Sequence, residues 1–217
     1  MELVYRPLAA TIKAAVRVMG WRILVAGGDV IPHSGAAVIA CNHVSYLDPV
    51  MLGLATDRRG RLPRFLAKRE LFAMPVFGAM LREMRHVPVD RRGAAAQSLP
   101  EGVARLREGH LVAVFPEATI RTEFDPANGK TGAARLAVEA GVPLIPMGVW
   151  GGQAIATKGE KIQLRRRVPL AIHVGEPLWP APGEDAQALT WRLMVRIGEL
   201  AKSAREAVEG RTGSATP

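Results

Sequence analysis

The sequence predicts an α/β fold: a single layered domain with a mostly parallel central sheet flanked by helices, plus an N-terminal amphipathic helical segment. Three observations predict it. Short, continuous apolar runs at 36–41 and 111–115 read as strands buried on both faces. Segments of helical period alternate with those runs, which is the pattern of a layered α/β domain rather than of a bundle or a sandwich. Polar, chemically able residues (His43 and Asp48, Asp90 and Arg91, Glu117 and Thr119) fall just past the strands, where an α/β sheet collects its functional groups.

Taken in order, the apolar residues Leu3, Val4, Leu8, Ile12, Val16, Met19 and Ile23 recur at helical spacing, with Arg6, Lys13, Arg17 and Arg22 between them. Residues 1–25 are expected to form one or two basic amphipathic helices, broken near Pro7 and at Gly20. They are expected to associate with a membrane surface or to pack on the core, and the first can include the second. The run 36–41 is the first strand. Asp48 followed by Pro49 reads as an N-cap with proline at the first helical position, opening a helix to about residue 56. Residues 63–68 form a second strand with Lys68 at its exit. Residues 72–84 are apolar and helical, split by Pro75, and suit either core packing or a wall for an acyl chain.

A short strand at 85–92 ends in charge, and a helix over 93–108 is stopped by Gly109. The run 111–115 is a central strand, ending in Pro116, Glu117, Ala118 and Thr119. A helix over 130–140 is closed by Gly141, and 142–149 is a further strand. A basic strand or hairpin follows over 158–174, with Arg165, Arg166 and Arg167 in its middle. A last helix covers 190–208. The expected organisation is N-terminal helices over 1–25, one domain over 26–209 and a disordered tail over 210–217.

Composition narrows the function. A chain of 217 residues is long enough for one self-sufficient core. The net charge of +9 favours an anionic partner. Aromatic residues make up only 5% of the chain and are not interleaved with basic stretches, so stacking platforms for nucleic acid are not expected. The single cysteine, Cys41, excludes an internal disulfide and a cysteine metal cluster, and the histidines lack ligand spacing. No signal peptide and no spanning helix are evident. Any membrane contact is expected to be peripheral.

Within Asn42-His43-Val44-Ser45-Tyr46-Leu47-Asp48, His43 is suited to take a proton near neutral pH, and a carboxylate on its other nitrogen fixes the tautomer. Alone, this pattern also fits a surface histidine beside a capping aspartate. Four blocks in order decide between the two. Asn42-His43 to Asp48 is similar to the NHxxxxD motif of the PlsC-type glycerolipid acyltransferase family, which acylates glycerol 3-phosphate or 1-acylglycerol 3-phosphate. Val87 to Arg91 resembles its second block, Phe115-Pro116-Glu117-Ala118-Thr119 its FPEGT block, and Val142 to Pro146 its VPxxP strand. Residues 67–71 resemble the stretch between the first two blocks. Ala118 stands where the family has glycine, and Ile120 separates Thr119 from Arg121.

The resemblance implies transfer of a fatty acyl group from CoA or acyl carrier protein to a glycerol-phosphate lipid acceptor, without metal or cofactor. His43 is then the general base and Asp48 its orienting acid. Arg91 holds the acceptor phosphate with Lys68 and Lys130 adding charge, Glu117 orients acceptor or arginine, and backbone N–H groups near Ala118 and Thr119 hold the oxyanion. The expected partners are the acyl thioester, the lipid acceptor and an anionic membrane surface at the cytoplasmic face of the cell membrane. A non-phosphate acceptor such as a glycolipid, or a non-catalytic lipid-binding role, are the competing readings.

Overall fold

The computed structural model describes residues 3–89 and 99–213. Its centre is a seven-stranded sheet in the order β1-β7-β6-β2-β5-β3-β4. The strands are β1 (Arg22–Ala26), β2 (Ala37–Cys41), β3 (Arg64–Lys68), β4 (Val87–Val89), β5 (Leu111–Val114), β6 (Leu144–Trp150) and β7 (Pro169–Val174). β2 pairs in parallel with both β5 and β6, β3 in parallel with β5 and β4, while β7 is antiparallel to β6 and parallel to β1. Five strands therefore run the same way, and their C-terminal ends share one edge. Lys68 ends β3 there, and His43 and Glu117 follow strands that end there.

The helices are α1 (Tyr5–Met19), α2 (Asp48–Asp57), α3 (Arg69–Phe72), α4 (Pro75–Glu83), α5 (Leu99–Arg107), α6 (Gly132–Ala140) and α7 (Ala186–Gly213). They cover both faces of the sheet, which explains why β2 and β5 carry no alternation: every residue of both is buried. Within β2 the two faces still separate by period two. Ala37, Ile39 and Cys41 pack with Met51 and Leu52 of α2, and Val38 and Ala40 with Leu136 of α6 and Leu193 of α7. α7 lies close against β6. A Cβ at Gly148 would fall 2.2 Å from the Ala201 backbone nitrogen, so only glycine permits this approach.

The parallel-rich sheet, the helices on both its faces and the N-terminal amphipathic helix are all present. Local readings differ in three places. Residues 22–26 are not helix but edge strand β1. Gly20, with φ of 67°, caps α1 and turns the chain, and the following Ile23 and Val25 pair in register with Leu170 and Ile172. Pro7 does not break α1, because it lies in the first turn, where the N–H it lacks has no helical partner. α7 continues to Gly213 rather than ending near 208, its apolar stripe carried on by Ala204 and Val208 against Ala171 of β7. Among the described residues no helix is long and apolar enough to cross a membrane.

The apolar stripe of α1 faces inward. Tyr5 and Leu8 pack with Leu62, Leu81 and Met84, the Tyr5 hydroxyl donates to the Pro63 carbonyl at 2.7 Å, and Lys13 pairs with Asp57 of α2. The helix packs on the core through these residues, while Leu3 and Val18 remain exposed.

Candidate active site

The loop after β2 is fastened before it presents any chemistry. Asn42 reaches across to β6, donating to the Val149 carbonyl (3.1 Å) and accepting the Val149 N–H (2.8 Å). The Ser45 hydroxyl donates to the Ala156 carbonyl at 2.6 Å, and the Thr157 hydroxyl to the Val44 carbonyl at 2.9 Å. Asp48 opens α2 but does not cap it. Its carboxylate turns back into the loop, where Oδ2 accepts from the Val44 N–H (2.7 Å), the Ser45 N–H (2.8 Å) and His43 Nδ1 (2.8 Å). The N-cap reading fails because these donors outcompete the helix's own first turn.

Asp48 is fully buried, and its Oδ1 has no partner among the described residues. Burial pushes its carboxyl up, against the pull of the bond and charge of His43 and of the two N–H groups. With the proton on Nδ1 directed at Asp48, Nε2 of His43 carries the free lone pair, and it has no partner among the described residues. The imidazole is 13% exposed and stacks on Phe115, with ring centroids 4.1 Å apart.

Phe115 leads into the second element of the site. Glu117 is buried, and its Oε2 accepts the His43 N–H at 2.8 Å, while the Arg121 N–H donates to the His43 carbonyl at 2.8 Å. The exit of β5 therefore grips the backbone of His43 from both sides. Burial pushes the Glu117 carboxyl up to about 7, opposed by the His43 N–H and Arg121 and reinforced by Asp48. The ordinary value is 4.5, so between that pH and about 7 the folded state binds a proton the unfolded chain has released. Stability from this group is greatest at low pH and is lost as pH rises through about 7. Glu117→Gln keeps an acceptor for His43 and removes the buried charge. It should match wild type in thermal melts near pH 4 and exceed it at pH 8 and above, by as much as about 3 kcal/mol. Equal melts at both pH values would contradict this.

Ala118, where the family resemblance has glycine, adopts φ of 57°. A Cβ in this conformation costs roughly 1–2 kcal/mol, partly offset by the smaller chain entropy of alanine when unfolded. Ala118→Gly is expected to stabilise the fold by up to about 1 kcal/mol, read as a rise of about 2–4 °C in melting temperature. A fall would show that the turn is not strained. The Ala118 N–H donates to the Phe115 carbonyl at 2.9 Å and is already engaged. The Thr119 N–H has no partner among the described residues, and the Thr119 hydroxyl accepts from Lys158 Nζ at 3.3 Å.

Lys68 is exposed at the end of β3 and pairs in register with Val89. Lys130 is exposed too, its N–H held by the Pro116 carbonyl at 3.0 Å. Asp90 and Arg91 lie outside the described residues. The structure thus brings His43, Asp48, Glu117, Ala118 and Thr119 together. It adds Asn42, Ser45, Thr157, Arg121 and Lys158, of which Asn42 had a sequence signal as the neighbour of His43 in the motif and Arg121 as the basic residue just past Thr119.

Beside the site lies a cavity of about 290 Å³, lined by Ile12, Leu54, Phe65, Phe77 and Met80 among others. The ring of Phe65 stacks 6.4 Å from that of Phe115, linking the cavity to His43. His86 in its wall is kept neutral: burial, then Arg64, lowers its pKa to about 4, and Nδ1 accepts the Phe65 N–H at 3.1 Å. Among the described residues no group of His, Cys, Asp and Glu could hold a metal ion.

The acyltransferase family model matches residues 22–150, from β1 to the end of β6. The chain belongs to the acyltransferase family. It is 30% identical over 205 residues to the 1-acyl-sn-glycerol-3-phosphate acyltransferase of Bacillus subtilis, covering 90% of this chain and 96% of that one. It is 28% identical over 142 residues to the enzyme of the same name from Borreliella burgdorferi, covering 64% of this chain and 56% of the other. It spans about half of similar proteins from Chlamydomonas reinhardtii and Arabidopsis thaliana. The fold matches the crystal structure of the 1-acyl-sn-glycerophosphate acyltransferase PlsC from Thermotoga maritima, with a TM-score of 0.70, 23% identity, and coverage of 98% of this chain and 81% of that one. The protein is thus an O-acyltransferase, an enzyme that takes an acyl donor and a hydroxyl acceptor.

Proposed function

We propose that this acyltransferase moves a fatty acyl group from a thioester of CoA or acyl carrier protein to a hydroxyl of a glycerol-phosphate lipid, at the cytoplasmic face of the cell membrane. The observation that carries the reading is the His43–Asp48 pair, with Nε2 open and an apolar cavity beside it. Nε2 removes the acceptor's hydroxyl proton as its oxygen attacks the thioester carbon. The imidazolium that forms is stabilised through Nδ1 by Asp48. The new carbon–oxygen bond creates a tetrahedral oxyanion, for which the Thr119 N–H is the available donor, the Ala118 N–H being engaged. Collapse of that intermediate breaks the carbon–sulfur bond, and the proton on Nε2 passes to the departing thiolate.

Glu117 acts as a positioning residue, holding the His43 backbone rather than meeting the acceptor. Arg91 binds the acceptor phosphate as a bidentate guanidinium, with Lys68 and Lys130 as further cations. The cavity takes the hydrocarbon. Its walls are apolar, His86 is neutral, and its charged lining residues Lys13 and Asp57 neutralise each other. The test is acyl transfer from a long-chain acyl-CoA, or the same chain on acyl carrier protein, to lysophosphatidate and glycerol 3-phosphate offered separately. Product from either acceptor supports the reading and identifies the step. Folded protein that uses neither acceptor with either donor overturns it in favour of a phosphate-free acceptor.

A further inference from the structure

Five consecutive apolar residues stand in solvent between α3 and the first turn of α4: Ala73, Met74, Pro75, Val76 and Phe77, with Val76 84% exposed. A run of this kind has no place on a water-facing surface unless something covers it. It follows β3 by a single turn of helix, so it stands at the sheet edge that carries His43. Exposed Lys68 and Arg69 precede it, with Glu70 as the nearby acid.

A second promontory rises from the same edge. β6 ends there and antiparallel β7 begins there, and the connection exposes Ile162 (70%) and Leu164 (74%). Lys158, Lys161, Arg165, Arg166 and Arg167 surround them, all exposed, with Glu160 as the one acid among them. The backbone here is pinned. The Gln163 N–H donates to the Ile155 carbonyl (2.7 Å), Trp21 Nε1 to the Arg165 carbonyl (2.8 Å) and the Arg167 N–H to the Met19 carbonyl (2.9 Å). Four inter-strand spacings, about 19 Å, separate β3 from β7. Tyr46, 59% exposed in the loop of His43, lies on this edge as well.

We propose that this edge docks on an anionic bilayer through the two promontories, residues 73–77 and Ile162 with Leu164, while their cations meet lipid phosphates. Apolar side chains set among exposed lysine and arginine are the chemistry of interfacial lipid binding. Tyr5 and Leu8 of α1 pack against Leu62, Leu81 and Met84, whereas the side chains of the two promontories stand exposed. Phe77 belongs to both the promontory and the cavity wall, which brings the cavity to the lipid. The naming of a lipid surface rests on the proposed function.

The test is cosedimentation with vesicles of phosphatidylcholine and phosphatidylglycerol in equal parts. It uses full-length protein carrying His43→Ala so that no chemistry intervenes. Met74→Asp with Val76→Asp, and separately Ile162→Asp with Leu164→Asp, should each weaken partitioning about tenfold or more, as the loss of buried aliphatic side chains requires. Val18→Asp, on the outward face of α1, should leave it unchanged, and all should melt as the parent does. With His43 intact, promontory variants should lose transfer to vesicle-borne lysophosphatidate but keep transfer to a short-chain, monomeric one. Promontory variants that bind vesicles like the parent overturn the proposal, as does loss with Val18→Asp alone. So does a change confined to self-association or to binding of acyl carrier protein. Weakened vesicle binding in a protein that acylates no glycerol phosphate would uphold docking and sink the proposed reaction instead.

Discussion

His43→Ala folds and loses about 10²–10⁴-fold in turnover, the usual worth of a positioned general base. It folds because the bonds that hold residue 43 are made by its backbone, through the N–H to Glu117 and the carbonyl to the Arg121 N–H, and alanine keeps both. What disappears is the ring on Phe115 and one of three donors to Asp48. Leaving a buried carboxylate one donor short costs about 1–3 kcal/mol, within the stability of a domain this size. The checks are a thermal melt and an initial rate measured on the same preparation. A cooperative melt with activity within about tenfold of wild type would remove His43 from the chemistry.

Asp48 is expected to separate stability from catalysis by the choice of replacement. Asp48→Ala strands two buried backbone N–H groups, those of Val44 and Ser45, besides the His43 ring. At about 1–3 kcal/mol for each stranded donor, most of the domain's stability is at risk. Asp48→Asn can still present an oxygen to those donors and removes a charge that burial disfavours, so its melt should stay near wild type. Its turnover should nonetheless fall steeply, because a neutral amide neither fixes the tautomer nor stabilises the imidazolium. A comparable exchange behind a catalytic histidine costs up to ~10⁴-fold. Combined with His43→Ala it should add little, since the two act as one unit. Wild-type rates from Asp48→Asn would reduce Asp48 to a loop fastener.

The pH response of Glu117 and the strain at Ala118 bear on the same loop from the other side. The four short blocks made the family visible, and within them His43 and Asp48 were legible because the motif holds them five positions apart. The bond from the His43 N–H to Glu117 was not legible. It joins residues 74 apart, and only the parallel pairing of β2 with β5 sets their exits side by side. A glycine-like position at Ala118 was visible as a departure from the family's block, but its positive φ became a fact only with the turn that closes on Phe115.

The sequence by itself determined the layered α/β class, the central strands and the choice of His43 and Asp48 as the candidate pair. Those depend on local signals: unbroken apolar runs, helical periods, glycine stops and a short motif. The tertiary structure alone decided which way Asp48 turns, which face α1 buries, that residues 22–26 join the sheet, and that two apolar promontories share an edge with His43. Each of these turns on competition between partners distant in the chain. An aspartate caps a helix or serves a loop according to which N–H groups arrive, and an amphipathic stripe meets lipid or protein according to what packs beside it.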